Sequence, residues 1–270
     1  MSVSKVPVAA GARNKSYYHF FEREMAEVPA EKLEFLKDPW QNDGNGQEIA
    51  DINRIFDDGY LPGETGLFTL KQGGFLVTNL TRFEGSKGAM LQWFFGWHGL
   101  DPLRYSIWDP YDHYGLRISD EDRSYILDPG TDIPDKCRGV THIVNESLIP
   151  GTEPAEITIH FENPAKMGLN TEKTMTPACS FLVTANADMG LPIVMLHTAR
   201  DTEYGCELRS RFWIGYHIIQ GVAQCLIPPE AHAQVKPLLS ALLEHNFSEF
   251  TNLAAILPKL YAEEKNNWAD

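Results

Sequence analysis

A histidine and a glutamate near the C-terminus interrupt the apolar face of a predicted helix. In the stretch ALLEHNFSEFTNLAAIL they are His245 and Glu249, about one helical turn apart. Together with four apolar residues of the same face, they follow steps of three and four residues within an arc of roughly 80°. These apolar residues are Leu238, Leu242, Leu253 and Ile256. An unpaired buried carboxylate costs several kcal/mol, so a salt bridge or hydrogen bond, a water-filled cavity or a metal ion must compensate for Glu249.

The spacing of this pair leaves the choice open. An H-x-x-x-E pair places two metal ligands on one side of a helix, but the pattern is common by chance. A polar pair that is satisfied by hydrogen bonds at a helix end is the more ordinary interpretation. A metal site would need further ligands from other parts of the chain.

Two segments in the middle of the chain offer such ligands. His142 and Glu146, in THIVNESLI, are four residues apart, so in a strand they share one face. The earlier segment DPLRYSIWDPYDHYGL carries His113. The two negative charges of two carboxylates, together with two neutral histidines, would balance the charge of a divalent cation. This set of ligands favours Zn²⁺ over Fe²⁺ or Mn²⁺. From the residues alone, either His113 or His142 is the third ligand, with Glu146 as the fourth.

Composition narrows the class of protein. The chain has 270 residues, 43% of them hydrophobic, and a formal net charge of -14, which makes a nucleic-acid partner unlikely on charge grounds. No stretch reaches the ~18 apolar residues that span a membrane, and the start MSVSKVPVAAGARNKS lacks the apolar core of a signal peptide. The four cysteines are scattered and contain no C-x-x-C. We therefore expect a cytoplasmic protein with reduced thiols.

Hydrophobic patterning predicts an α+β protein. Residues 1–65 are expected to form an N-terminal helical and loop extension, and residues 66–270 the main domain. Within that domain the patterns predict a hairpin around Gly73-Gly74 and an apolar helix in GAMLQWFFGWHGL. Further strands are predicted in LRYSIW, CRGVTHIVNESLI, AEITIHFEN, SFLVTANA, LPIVMLHTAR and CELRSRFWIGYHII. A long final helix follows and is expected to end at Pro258.

Consecutive strands with tight turns form antiparallel sheets, and a long amphipathic helix needs a face to pack on. We therefore expect a curved antiparallel sheet gripping the C-terminal helix, with a cavity between them that contains His245 and Glu249. The aromatic run YYHFF, from Tyr17 to Phe21, is expected to pack on this domain or on a second chain, which predicts a homodimer.

Several segments resemble one enzyme family. WFFGWHGLDPLRYSIWDPYDHYGL is similar to the signature of the diacetylphloroglucinol hydrolase and phloretin hydrolase family, and FWIG and EHNFSEFTNLA are similar to its C-terminal half. The resemblance covers most of residues 60–257. It implies a Bet v 1-like helix-grip fold and zinc-dependent hydrolysis of the aryl–acyl C–C bond of acyl-phloroglucinols. It also implies that His113, Glu146, His245 and Glu249 hold the zinc.

The resemblance further implies a substrate-binding tyrosine eight residues before the first histidine ligand. Tyr105 occupies that place, which favours His113 over His142. The catalytic histidine and tyrosine of the family's late strands correspond to His197 and to Tyr216, with Tyr204 as the competitor of Tyr216. Phe212, Ile214 and Tyr216 are predicted to share one strand face and to form a wall of the pocket.

One position departs from the family pattern. Leu116 stands where some members have a substrate-binding asparagine, so we expect a less polar pocket that suits phloretin-like monoacyl substrates. Two other functions stay open: a non-catalytic binding protein for aromatic ligands and a metal-dependent phenol dioxygenase. A serine-hydrolase route lacks its usual G-x-S-x-G signature.

Overall fold

The computed structural model describes residues 4–41, 44–149 and 151–269. In this part of the chain, eight strands form one antiparallel sheet in the order β1-β2-β8-β7-β6-β5-β4-β3. A separate two-stranded sheet pairs β9 with β10. The strands are β1 (Gly66–Thr69), β2 (Phe75–Glu84), β3 (His113–Arg117), β4 (Thr141–Glu146), β5 (Ala155–Phe161), β6 (Phe181–Asp188), β7 (Pro192–Asp201), β8 (Gly205–Ile214), β9 (Tyr216–Ile219) and β10 (Val222–Cys225).

Six α-helices accompany the sheet in the described residues. They are α1 (Tyr18–Glu22), α2 (Ala30–Phe35), α3 (Gly88–Trp97), α4 (Pro102–Ser106), α5 (Asp120–Leu127) and α6 (His232–Glu264). Across the ranges described, none of the helices has both the length and the apolar character needed to cross a membrane.

The inner face of the sheet and helix α6 share one hydrophobic cluster. Phe75, Val77 and Phe83 alternate along β2 and point into it, as the period of a strand requires. Leu253 and Leu257 of α6 are fully buried in the same cluster. The predicted α+β fold, an antiparallel sheet that grips a long C-terminal helix, is thereby confirmed.

The predicted end of the final helix is wrong. Helix α6 passes through Pro258 and continues to Glu264. A proline in a helix removes one hydrogen bond and crowds the preceding turn, which costs about 3 kcal/mol. Ile256, Leu257 and Leu260 are buried around it, and their packing outweighs that cost.

The segment LRYSIW is a helix, so the strand predicted there is also wrong. Pro102 occupies the first turn of α4, and the side chain of Asp101 accepts a hydrogen bond from the amide of Leu103 at 2.8 Å. These are the two common signals of a helix start. The chain therefore turns before it enters the sheet as β3, at His113.

The outer face of the sheet is covered by an early segment of the chain. Ile49–Phe56 forms a 3-10 helix whose isoleucines pack on Leu196 and Trp213. Beside it, the carboxylate of Glu64 forms ion pairs with the guanidinium groups of Arg209 and Arg211, the second at 2.9 Å. The region before the first strand thus packs closely against the sheet.

The N-terminal aromatic run is buried within the same chain. Tyr17, Phe20 and Phe21 belong to the inner hydrophobic cluster, and the ring of Tyr17 meets Trp97 edge to face at 5.2 Å. The run therefore supplies no argument for a second chain. The homodimer and the domain boundary at residue 65 stay predictions.

Candidate metal centre

Two neighbouring strands and the long helix bring four potential ligands together. His113 begins β3 and Glu146 ends β4, and the antiparallel register pairs these two residues directly. His245 and Glu249 lie one turn apart on α6. All four side chains are buried.

The donor atoms are spaced as ligands of one small cation would be. Nε2 of His113 lies 3.3 Å from Nε2 of His245 and 3.3 Å from Oε2 of Glu146. Nε2 of His245 is 3.6 Å from the same oxygen of Glu146. Oε2 of Glu249 is 3.7 Å from Nε2 of His113. Donors bound tetrahedrally at about 2.0–2.2 Å from zinc would be about 3.3–3.6 Å apart. His113, Glu146 and His245 therefore fit such an ion, whereas Glu249 adjoins His113 and lies outside the group of donors that are all within 4.8 Å of one another.

Hydrogen bonds outside the cluster orient three of these groups. Nδ1 of His113 donates to the carbonyl oxygen of Tyr105 at 3.3 Å, which leaves Nε2 facing the cluster. The Tyr105 hydroxyl donates to Oε2 of Glu146 at 2.6 Å, and its ring stacks on His113 with 4.1 Å between centroids. Nδ2 of Asn246 donates to Oε1 of Glu249 at 2.9 Å. Such outer partners are typical of metal ligands.

Charge within the cluster is balanced by retained protons. Burial raises the pKa of Glu249 to about 7. Burial opposes a charged His245, but the hydrogen bond and charge of Glu146, with the charge of Glu249, raise the pKa of His245 to about 10. Burial likewise opposes ionisation of Glu146, yet the two histidines together hold the pKa of this carboxyl below its usual range. A divalent cation would supply the positive charge that these protons supply.

A further acidic pair lies behind His245. Oδ2 of Asp112 is 4.0 Å from Nδ1 of His245, and Asp109 belongs to the same buried group. Oδ1 of Asp109 accepts hydrogen bonds from the backbone amides of Tyr111 and Asp112. These bonds fix the turn that carries Asp112. Burial raises the pKa of Asp112 to about 6. At 4.0 Å the Asp112 carboxylate interacts with His245 by charge and not by a hydrogen bond.

A largely apolar cavity extends from the cluster between the sheet and α6. It has about 720 Å³ of space not filled by atoms, including the part that opens to solvent. Its apolar walls include Val144, Ile157, Ile159, Ile193 and Met195, and its polar lining includes Tyr105, Glu146, His98, His142, His197, His245 and Glu249. The arrangement places polar groups at defined points of an otherwise apolar site.

Comparison with known proteins then decides the family. The family model described as the DAPG hydrolase PhiG domain matches residues 47–262. The chain belongs to this family. Among curated relatives, the phloretin hydrolase of Eubacterium ramulus is 37% identical over 98% of this chain and 96% of its own length. A 2,4-diacetylphloroglucinol hydrolase of a Pseudomonas species is 27% identical over 94% of this chain and 90% of its own length.

Solved structures with some similarity include a point mutant of norcoclaurine synthase from Thalictrum and the protein Ara h 8.0201. The synthase is 15% identical, covers 65% of this chain and 92% of its own, and has a TM-score of 0.38. Ara h 8.0201 is 10% identical, covers 65% and 97% of the two chains, and has a TM-score of 0.33. The description of the fold therefore rests on the sheet and helix themselves.

Three of the four predicted ligand residues, His113, Glu146 and His245, have donor atoms within 4.8 Å of one another, and Glu249 adjoins His113. The alternative ligand lies apart. His142 lines the cavity, but its ring lies 5.1 Å from that of His98 and 4.9 Å from Phe161. The group of ligand atoms within 4.8 Å of one another contains His113, not His142. Geometry and resemblance therefore favour the same histidine.

Two of the three predicted catalytic side chains line the cavity, namely Tyr105 and His197. Nδ1 of His197 shares a hydrogen bond of 2.9 Å with the hydroxyl of Ser210, which leaves Nε2 as the ring atom available to a ligand. Burial lowers the pKa of His197 to about 3, so the imidazole is neutral at neutral pH. Burial also raises the pKa of Tyr105 well above its ordinary value, so its hydroxyl keeps its proton.

The third, Tyr216, lies on the opposite face of the sheet, so the predicted shared face is wrong for it. Gly215, with φ +90, interrupts the alternation between β8 and β9. Phe212 consequently lines the cavity, whereas Tyr216 packs with Leu196 and Trp213 on the outer face of the sheet. Its hydroxyl donates a hydrogen bond to the carbonyl of Gly73 at 2.7 Å. Tyr204 is 39% exposed and hydrogen-bonds Glu207.

Leu116 also has a different place from the one expected. It is buried in the inner cluster and pairs with Val144 across β3 and β4. Val144, not Leu116, is among the residues that line the cavity. The apolar wall expected from Leu116 is instead formed by residues of β4, β5 and β7.

Sequence reasoning treated His142 as an alternative metal ligand only and left His98 among the structural residues. The two imidazoles lie at the cavity, and burial lowers the pKa of His98 to about 4. One signal was available for His142, because it is four residues before Glu146 on one strand and so shares its face. For His98 no such signal exists, since it follows an apolar helix whose face toward the cavity depends on tertiary packing.

Proposed function

We propose that this protein is a zinc-dependent hydrolase that cleaves the aryl–acyl C–C bond of acylated phloroglucinols. The observation that carries the proposal is the buried cluster of His113, Glu146, His245 and Glu249 at the wall of an apolar cavity. The family and its relatives' names support the reaction class. Two imidazoles with two carboxylates favour zinc over a harder cation.

The reaction adds one water across the C–C bond. The water's oxygen joins the acyl carbon to give a carboxylic acid, and one of its protons joins the ring carbon as the C–C electron pair returns to the ring. A polyhydroxylated ring can accept this proton on carbon because its phenols stabilise the charge. Zinc, when bound, supplies a polarised carbonyl and a water of lowered pKa.

The side chains of the cavity divide the remaining tasks. The Tyr105 hydroxyl, kept protonated by burial, can donate its single proton either to Glu146 or to a substrate oxygen. The neutral ring of His197 can exchange a proton through Nε2 while Ser210 holds Nδ1. A proton donor near the leaving ring carbon is the group that C–C cleavage requires beyond the metal.

Phloretin-like substrates are the preferred class in this proposal. The isoleucines and methionine of the cavity wall suit an arylpropanoyl tail better than a second acetyl group with its polar carbonyl. The relative that carries the name phloretin hydrolase is also more similar than the diacetylphloroglucinol hydrolases, at 37% against 27% identity. The comparison of kcat/KM for phloretin, monoacetylphloroglucinol and diacetylphloroglucinol tests this preference. A diacetyl compound preferred by more than about tenfold, or about 1.4 kcal/mol, contradicts it.

An anaerobic assay separates the proposed activity from its alternatives. A hydrolase converts phloretin to phloroglucinol and an arylpropionic acid without oxygen. A dioxygenase stops without oxygen, and a binding protein only raises its melting temperature with the ligand.

Elemental analysis of protein purified without added metal is expected to find about one zinc per chain. His245→Ala and Glu249→Ala variants are expected to lose it. Full activity in the presence of a strong chelator, with no metal found, would contradict the zinc site.

A further inference from the structure

Two polar side chains interrupt the apolar inner face of β2. Phe75, Val77 and Phe83 of this face pack in the inner cluster, but Asn79 and Thr81 stand between them. Asn79 is 1% exposed and Thr81 is 5% exposed. Buried amides and hydroxyls need partners, so these two residues indicate a built polar connection inside the core.

The connection begins at Lys32 of α2, outside the cavity. Its Nζ donates to Oδ1 of Asn79 at 2.9 Å and to Oγ1 of Thr81 at 3.1 Å. The ammonium also lies over the ring of Phe247, 4.6 Å from its centroid. Lys32 is half-buried, so these partners replace part of the water around its charge.

From Asn79 the hydrogen bonds continue to the metal centre. Nδ2 of Asn79 donates to Oδ1 of Asn246 at 2.7 Å. Nδ2 of Asn246, which is fully buried, donates to Oε1 of Glu249 at 2.9 Å. The other carboxylate oxygen of Glu249, Oε2, is the one 3.7 Å from His113.

The two ends of this series of hydrogen bonds fix the direction of donation along it. An ammonium can only donate and a carboxylate can only accept. Lys32 therefore requires Oδ1 of Asn79 to face it, and Glu249 requires Nδ2 of Asn246 to face it. The two amides in between can satisfy both ends in one orientation only. Each bond polarises the next, so the positive charge at Lys32 strengthens the bond to Glu249.

We propose that Lys32 is a positioning residue for the metal centre, and that it acts through Asn79 and Asn246 to hold Glu249 with Oε2 toward the ion. This inference rests on the proposed role of Glu249 as a zinc ligand. It also assigns a task to the N-terminal region, since Lys32 lies before the first strand of the sheet. Loss of an outer partner of a metal ligand typically weakens metal binding by about 10- to 100-fold.

The test compares zinc affinity, by competition with a chelator, in full-length wild type and Lys32→Met. The variant is expected to bind zinc about 10- to 100-fold more weakly. Its kcat is expected to fall while KM stays within about twofold, because Lys32 is not among the residues that line the cavity. The matched control is Lys37→Met, because the side chain of Lys37 is 71% exposed and its ammonium pairs with Glu34 at the surface. The control is expected to keep wild-type affinity.

A second variant distinguishes a connected chain from general damage. Asn79→Leu removes the central amide of the series of hydrogen bonds at similar side-chain volume. It is expected to weaken zinc binding as well. In the double variant, loss of Lys32 is then expected to add less than about twofold, because its effect travels through Asn79. Melting of the metal-free proteins shows whether either variant loses the fold itself.

The outcomes separate the two proposals. Wild type that binds no zinc overturns the proposed function. Wild type that binds zinc, with Lys32→Met within about threefold of it, overturns only the positioning role. A double variant whose effects multiply also overturns it, since Lys32 would then act independently of Asn79.

Discussion

The hydrogen bond between Tyr105 and Glu146 gives the sharpest prediction for stability and activity. Tyr105→Phe removes one hydroxyl and keeps the ring, so the stacking on His113, with 4.1 Å between centroids, is preserved. The hydroxyl donates to Oε2 of Glu146 at 2.6 Å. This oxygen is also 3.3 Å from Nε2 of His113. The substitution therefore leaves a shared oxygen of the cluster with one partner fewer.

The magnitude follows from burial and charge. Tyr105 is 4% exposed and Glu146 is 9% exposed, so water has little access to replace the lost donor. A hydrogen bond to a charged group contributes about 1.5–3 kcal/mol. The free energy of unfolding of the metal-free protein is expected to fall by that amount, and Tm by about 3–12 °C for a chain of this size. If the same hydroxyl donates to substrate in the transition state, kcat/KM falls by about 10- to 150-fold.

Thermal unfolding of metal-free protein and steady-state kinetics with phloretin measure both effects. Tyr125→Phe is the matched control, because this hydroxyl is bonded to the carbonyl of Asp135 at 3.1 Å on a side chain that is 38% exposed. The control is expected to change stability by less than about 0.5 kcal/mol. A Tyr105→Phe protein as stable as the control would refute the reasoning, since the buried bond would then contribute nothing.

Three other predictions concern acid stability, the outer face and the metal. Since the pKa of His197 is lowered to about 3 in the folded protein from about 6.5 in the unfolded chain, its contribution is complete above pH 6.5 and is lost as the pH falls toward 3. Between pH 7 and pH 4.5, the free energy of unfolding measured in urea should therefore fall by about 2–3 kcal/mol less in His197→Gln than in wild type. Equal losses in the two proteins would contradict this. Tyr216→Phe removes the hydrogen bond to Gly73 and should lower the free energy of unfolding by about 1 kcal/mol, while kcat/KM stays within about twofold. A tenfold loss of kcat/KM would instead indicate that Tyr216 takes part in catalysis. Zinc added to metal-free protein at a hundred times its Kd should raise the free energy of unfolding by about 2.7 kcal/mol, and an unchanged melting curve would exclude a zinc ion bound only by the folded state.

The sequence by itself determined the features that depend on local pattern. Strand alternation and tight turns predicted the antiparallel sheet, and the steps of three and four residues predicted helix α6 with His245 and Glu249 on its buried face. The segment around His113 carried the family resemblance. These features are readable because each depends on residues close together in the chain.

Tertiary structure decided the features that depend on how elements meet. The strand register pairs His113 with Glu146, and the packing of α6 brings His245 to both. Gly215 turns Tyr216 to the outer face, a shift that the alternation of residues before it does not reveal. The link from Lys32 to Glu249 joins positions 217 residues apart (249 less 32) through two buried amides. No regular spacing in the sequence predicts a hydrogen bond between distant residues, because only the folded chain sets the distance between its donor and acceptor.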